Sequence, residues 1–412
     1  MSVLTRFRLL FTGSLLLTMS AISLADHHQS VEHSDGMHDQ ILTLDTHIDI
    51  PIELGLDEAD PGVDGPMQVD LPKMREGGLD AGFFIVYVGQ GAMTEEGYAE
   101  AYSKARDKFV AIERMLDKYP GQIQLATSPD QLKSIVSQGK LAAAIGVENA
   151  YPLGPELAHL QEFYDRGARY VSLTHFGHNH FADSSVGRGE HDGIPEPVNN
   201  GISELGYQLI DELNRLGIMV DISHTSPETT IQAAKYSRAP IIASHSGVRA
   251  LYDHPRNMND EEIRAVAENG GVIQLVAFDG YMRNISDEEQ EAIAAIRADM
   301  GLTGDNWRDR MTQELEGELR QRTARLHTRF PRATVATLVD HIDYVVNLVG
   351  IDHAGISSDF GGGGGIHGWD HAGQTPAITE ELLIRGYSLE DINKIWSGNL
   401  LRVWGAAEQA GE

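Results

Sequence analysis

Seven ionisable residues in this sequence each close a short apolar run. They are His47 and Asp49 in ILTLDTHID, Glu148 in LAAAIGVEN, His175 in ARYVSLTH, His224 in IMVDISH, His245 in PIIASHS and Asp359 in HAGISSDF. An ionisable group at the end of a buried strand costs several kcal/mol unless it is paired or bound to a metal. His47 and Asp49 stand two residues apart, so in an extended chain they point to the same side. Each group alone has an ordinary explanation: a salt bridge for Glu148, a satisfied core histidine for His224 or His245, an internal hydrogen bond for the His47–Asp49 pair. Together they do not, because each would need its own buried partner. Imidazoles and carboxylates without thiolates suit zinc or a similar divalent ion. Two histidine-rich corners and a carboxylate able to bridge them suggest two metals that share and activate one hydroxide.

The composition leaves no other ligand types. The chain has 412 residues with 18 His and no Cys, which excludes disulfides, thiolate nucleophiles, Cys-ligated zinc, iron–sulfur clusters and Cys-linked lipid. Against 61 Asp and Glu stand 32 Lys and Arg, a net charge of −29. That balance argues against nucleic acid or an anionic membrane as partner, since phosphate contacts need clustered cations. A hydrophobic share of 41% is that of a globular protein.

The elements that must position these residues alternate. Apolar, β-rich runs at 41–49, 81–89, 141–149, 168–175, 218–224, 240–246, 271–278 and 353–360 are separated by amphipathic stretches such as 96–120, 202–217 and 260–270. Eight strands apolar on both faces, each followed by a helix, predict a (β/α)8 TIM-type barrel with insertions, the metal site lying at the C-terminal ends of the strands. A doubly wound sheet is the alternative, but no Gly-rich phosphate fingerprint follows the first strand. Residues 281–335 read as a charged helical insertion between strands seven and eight. The run GGGGG at 361–365 reads as a flexible loop, and His178 and His180 in THFGHNHFADSS as exposed loop histidines.

At the N-terminus, Arg6 and Arg8, the apolar stretch 9–17 and Ser23-Leu24-Ala25 have the layout of a secretory signal peptide, residues 1–25. Residues 26–40, with His27, His28, His33 and His38, read as a disordered His-rich leader. The single barrel domain is then 41–408. With no later apolar span and no hydrophobic C-terminal tail, the expectation is an exported protein of the bacterial periplasm with no stable membrane anchor after signal cleavage.

The segments LDTHID, GVENA, LTH, DISH, ASHSG, HPRN, GISSDF and SGNLLRVW run in order from about residue 41 to 405. Jointly they resemble the membrane dipeptidase (renal dipeptidase) family of binuclear zinc peptidases, related to the amidohydrolases. The resemblance implies two Zn2+ per chain, His47 and Asp49 holding one, His224 and His245 the other, and Glu148 bridging both. It implies that His175 stabilises the oxyanion, that Asp359 shuttles the proton, and that Arg256 clamps the C-terminal carboxylate of a dipeptide with help from Tyr87. It is compatible with a homodimer, though the absent cysteines exclude an intersubunit disulfide. The chain departs from the family at Gly361, where members commonly carry an acidic residue. Hydrolysis of an N-acyl amino acid, lactone or β-lactam on the same site is the nearest alternative. An exported, non-catalytic metal or peptide binder is a remote one.

Overall fold

Eight apolar runs become parallel strands, and the sheet they form curls until its first and last members meet. The computed structural model describes residues 36–157, 159–187, 193–304 and 310–411. The strands β1 (Leu44–Asp49), β2 (Ala81–Tyr87), β3 (Leu141–Glu148), β4 (Ala168–Ser172), β5 (Met219–Asp221), β6 (Ile242–Val248), β7 (Val272–Val276) and β8 (Ala354–Ser357) pair side by side in chain order. The ring closes where Ile48 bridges Phe360 and the Asp49 N–H donates to the Phe360 carbonyl at 2.8 Å. This is the barrel expected from the sequence. Two short strands lie off the ring: Ile123–Leu125 pairs with β3 and Asn257–Met258 with β6.

Side chains alternate along each strand, so each strand feeds two cores. Leu44, Phe83, Ala144, Tyr170, Met219, Ile242 and Val272 share the inner one. Phe84, Val86, Ile145, Val147, Val171 and Ile273 face the surrounding helices, where Phe109, Ile112, Leu209 and Leu213 meet them. The helix Glu95–Lys118 begins at Thr94, whose hydroxyl accepts from the Gly97 N–H, and buries Ala101, Ala105, Phe109, Ile112 and Met115. The helix Glu204–Leu216 ends at Gly217, whose left-handed backbone (φ 70°) only glycine adopts freely. The last helix, Asn399–Gly411, runs past residue 408 and plugs the barrel floor. Its Trp404 lies 5.4 Å from the Phe83 ring, and Phe83 in turn 5.2 Å from Tyr170.

Three details differ from the sequence reading. His38, placed in the leader, is buried, its imidazole bonded to the Thr379 hydroxyl at 2.7 Å and the Gly77 carbonyl at 3.0 Å. The 361–365 run is a hydrogen-bonded turn packed on the barrel rim rather than a free loop: the Gly365 N–H donates to the Ala277 carbonyl and the Gly364 N–H to that of Asp359, both at 2.8 Å. His178 and His180 are half-buried, not exposed. Within 281–335 the helices Asp287–Asp299 and Gln313–Thr323 form, joined by an Arg322–Asp299 ion pair at 2.5 Å. The signal segment 1–25 and His27, His28 and His33 lie outside the described residues. No helix among the described residues is long and apolar enough to cross a membrane.

Trp404 is the largest side chain joining the last helix to the inner core. Trp404→Ala should therefore cost about 3–5 kcal/mol, read as a lower midpoint in thermal or denaturant unfolding. A loss under about 1 kcal/mol would show that the floor is held elsewhere.

Candidate metal centre

All seven strand-end residues converge on the C-terminal mouth of the barrel. Glu148 sits among them with its two oxygens aimed at different groups. Its Oε1 is 3.1 Å from His224 Nε2, 3.2 Å from His245 Nε2 and 3.9 Å from His175 Nε2. Its Oε2 is 3.6 Å from His47 Nε2, which is 3.4 Å from Asp49 Oδ2. Three overlapping sets result: His47, Glu148 and His245; Glu148, His175 and His224; and His47, Asp49 and Asp359. In each, one potential ligand atom per residue lies within 4.8 Å of the others.

Hydrogen bonds at the far side of two rings decide what faces inward. The Tyr170 hydroxyl donates to the Thr46 carbonyl at 3.0 Å, so His47 Nδ1, also 3.0 Å away, must donate to it. The Ser244 hydroxyl donates to Asp221 at 2.6 Å, so His245 Nδ1 donates to that hydroxyl at 2.9 Å. A neutral ring that donates from Nδ1 presents a bare Nε2 lone pair to the site, the form a metal needs. His47 Nε2 is buried with no hydrogen-bond partner among the described residues. His224 Nε2 and His245 Nε2 stand 2.9 Å apart. With His245 Nε2 an acceptor, the proton of His224 Nε2 fills the gap between the two rings, and a metal ion can take that proton's place.

Electrostatics separate the two corners. Burial works against a charged imidazole at His47, yet Glu148 and Asp49 hold it well above the usual histidine range, favouring a second proton on Nε2 where a metal would otherwise bind. Burial, with Arg256 adding at both, holds His224 and His245 well below that range and therefore neutral. Glu148 is buried, but the His175 and His47 charges, with the His224 and His245 rings beside it, keep it well below the usual carboxylate range. Burial pushes Asp359 well above it; the pull of His47 opposes this, while Asp49 and Glu148 reinforce it.

The backbone is shaped to deliver these groups. The β1–β2 register shifts between Asp45 and Ile48, and the β6–β7 register between Ala243 and Ser246, so each shift falls at a histidine of the site. Such irregularities re-aim a side chain and free backbone N–H groups from the ladder. Buried acceptors collect them. Asp45 accepts from the His47 and Ser358 N–H groups at 3.2 and 3.0 Å. Asp221 accepts from those of Ser223 and Ser244, both at 2.9 Å, and the Ser223 hydroxyl from that of His245 at 3.0 Å. Burial raises Asp45 to about 6. Asn149, His224 and Asp359 have φ of 76°, 69° and 56°, a left-handed conformation that costs a non-glycine residue about 1–3 kcal/mol and clusters at functional sites.

Sequence reasoning missed this supporting layer of Asp45, Asp221, Tyr170, Ser223, Ser244 and Ser358. Asp45 was open to discovery, because it lies two residues before His47 on the same face of β1. Tyr170 was not, since it reads as one more core aromatic. Its ring fits because Gly146 has no side chain: a Cβ there would lie 2.2 Å from the ring.

The other anticipated residues sit at the same mouth. Arg256 is buried, donates from Nη2 to the His245 carbonyl at 2.9 Å and lies 5.2 Å over the Tyr281 ring. Its Nε is buried without a hydrogen-bond partner among the described residues. Tyr87 and His175 are in ring contact at 4.7 Å, and His175 and His224 at 4.2 Å. His178 belongs to none of the three ligand sets; it contacts Asp183 at 3.3 Å and the Glu196 carbonyl at 2.9 Å. His180 packs on Tyr98 instead, at 5.0 Å.

Comparisons with known proteins show what the whole chain is similar to. A family model described as membrane dipeptidase (peptidase family M19) matches residues 31–412. The chain is 31% identical to dipeptidase aclJ of Aspergillus oryzae over 347 residues, 83% of this chain and 70% of that protein. It is 28% identical to dipeptidase tcpJ of Claviceps purpurea, covering 90% of this chain and 75% of the other. Among solved structures it resembles the probable dipeptidase PvdM from Pseudomonas aeruginosa, with 35% identity, a TM-score of 0.80, and coverage of 93% of this chain and 99% of that one. A metallopeptidase from Rhodobacter sphaeroides, solved with a phosphinate mimic of the dipeptide L-Ala-D-Ala, shares the fold at 21% identity and a TM-score of 0.69, over 89% of this chain and 99% of that one.

If the Tyr170 hydroxyl sets the His47 tautomer, Tyr170→Phe should weaken metal binding by about 10- to 100-fold with the fold intact. Competition against a chromogenic chelator reads this directly. Unchanged affinity would mean that His47 is oriented without Tyr170.

Proposed function

The chain belongs to the membrane dipeptidase family, peptidase family M19, and we infer that this hydrolase of peptide bonds is a two-zinc dipeptidase whose substrates carry a free C-terminal carboxylate. The observation that carries the reading is a cluster with three overlapping sets of metal-ligand atoms beside a buried guanidinium whose Nε has no hydrogen-bond partner among the described residues. His47 and Asp49 are suited to hold one ion, His224 and His245 the other, with one Glu148 oxygen directed to each. Zinc at such a site would acidify a shared water toward a pKa of about 7 and polarise the scissile carbonyl.

The remaining work falls to side chains. Asp359, held protonatable by its burial, takes the proton of the attacking water and returns it to the departing amine. His175, at the edge of the cluster, meets the negative charge that develops on the carbonyl oxygen. Arg256 fits a carboxylate with two parallel hydrogen bonds, a geometry lysine lacks. Its bond to the His245 carbonyl ties the carboxylate pocket to the metal corner, and Tyr87 lines that side through His175. The dipeptide mimic bound by the R. sphaeroides protein supports this substrate class. The leader sequence supports export to the periplasm.

Purified protein loaded with zinc should release amino acids from a panel of L,L- and L,D-dipeptides, read by chromatography; bound metal with no turnover of any dipeptide would refute the assignment. Arg256→Ala should raise KM for dipeptides by roughly 30-fold or more, and an unchanged KM would remove Arg256 from the carboxylate pocket. Glu148→Gln should retain at most one metal per chain by elemental analysis. Two tightly held metals in that variant would contradict the bridge.

A further inference from the structure

The glycine run 361–365 follows Asp359 and has no part in the steps above. Gln68 staples it from both ends: its Oε1 accepts from the Gly361 N–H at 3.1 Å and its Nε2 donates to the Gly364 carbonyl at 2.9 Å. The Gly362 and Gly364 N–H groups turn back onto the Asp359 carbonyl at 3.2 and 2.8 Å. Four of the five glycines have backbone reasons to be glycine. Gly361, Gly363 and Gly365 have φ of 81°, 123° and 112°, and a Cβ on Gly364 would lie 2.0 Å from the Ser358 carbonyl oxygen.

Gly362 differs. It is exposed, and its φ is not in the left-handed region. A Cβ built on it meets two carboxylates instead of backbone, lying 2.3 Å from Asp359 Oδ1 and 2.4 Å from Asp49 Oδ2, where real contacts essentially never fall under 3.0 Å. No Cβ fits there unless both carboxylates move, and both belong to the site.

We propose that Gly362 is a positioning residue: its bare Cα, held by the Gln68 staple, forms the wall that sets the direction of the Asp49 and Asp359 carboxylates. Any side chain at 362 must displace both carboxylates, which lie at the ends of side chains able to turn. The proposal rests on the reading of Asp49 as a ligand and Asp359 as the proton carrier. If that reading is wrong, wild-type protein already fails to bind two metals or to turn over dipeptides, before any variant is compared.

The test is Gly362→Ala beside Gly121→Ala, a control at a glycine with nothing within 4 Å of its Cβ. To admit the methyl group, Asp359 Oδ1 must retreat from 2.3 Å to 3.0 Å or beyond. Misplacement on that scale is expected to lower kcat on the order of 100-fold while KM changes little. Zinc titration of the chelator-stripped variant should show one of two metals bound about tenfold or more weakly. Its metal-free unfolding midpoint should match that of the control. Wild-type kcat with both metals at wild-type affinity overturns the proposal, as does a drop in the metal-free midpoint with metal affinity unchanged. If Gly362→Ala does not fold, Asp359→Ser shortens one of the two obstructing side chains. The double variant should then bind zinc more weakly than Asp359→Ser alone, and equal affinity overturns the proposal.

Discussion

At the mouth of this barrel, imidazoles and carboxylates are forced together around one buried glutamate. The two oxygens of Glu148 face the Nε2 atoms of His224 and His245 on one side and of His47 on the other, with His224 and His245 Nε2 only 2.9 Å apart. In water such groups would hydrate separately. Here burial removes the water, and the hydrogen bonds at Tyr170 and Ser244 hold the Nε2 atoms of His47 and His245 pointing inward. Without a metal, protons on His47 and between His224 and His245 balance the carboxylates, and the same positions suit cations. Most other features of the mouth serve this arrangement.

Those features carry a cost in stability. Register shifts in β1 and β6 interrupt the ladder, three non-glycine residues at strand ends adopt left-handed backbone, and Asp45 and Asp221 are buried charges whose protonated forms burial favours. Each of these would be selected against in a purely structural barrel. Metal binding offsets them in the folded state alone, since the unfolded chain has no preformed site. Metal loading and stability should therefore be coupled, and the apolar floor under Trp404 and Phe83 supplies the rigidity on which the mouth is assembled.

Much of this was legible in the sequence because the signals were local. Each strand is a short apolar run, and each ligand candidate is an ionisable residue at the end of one. Asp49, Glu148 and Asp359 stand out for that reason among 61 acids. What was hidden depends on partners distant in sequence. Tyr170 looks like a core aromatic until its hydroxyl is seen on His47, 123 residues away. His38 looks like part of a polar leader, yet Thr379 and Gly77 bury it. The five glycines suggested freedom of motion; with Gln68 holding them, they mark where no side chain fits. The three-residue strand Ile123–Leu125 is too short to show a period.

The central claim is that Glu148 bridges two metal ions. Anomalous diffraction at the zinc edge, on crystals of the zinc-loaded protein, tests it most directly. The account predicts two peaks flanking the Glu148 carboxylate, one beside His47 and Asp49 and the other beside His224 and His245. A single peak, or a second one elsewhere such as beside His178 and Asp183, would contradict it.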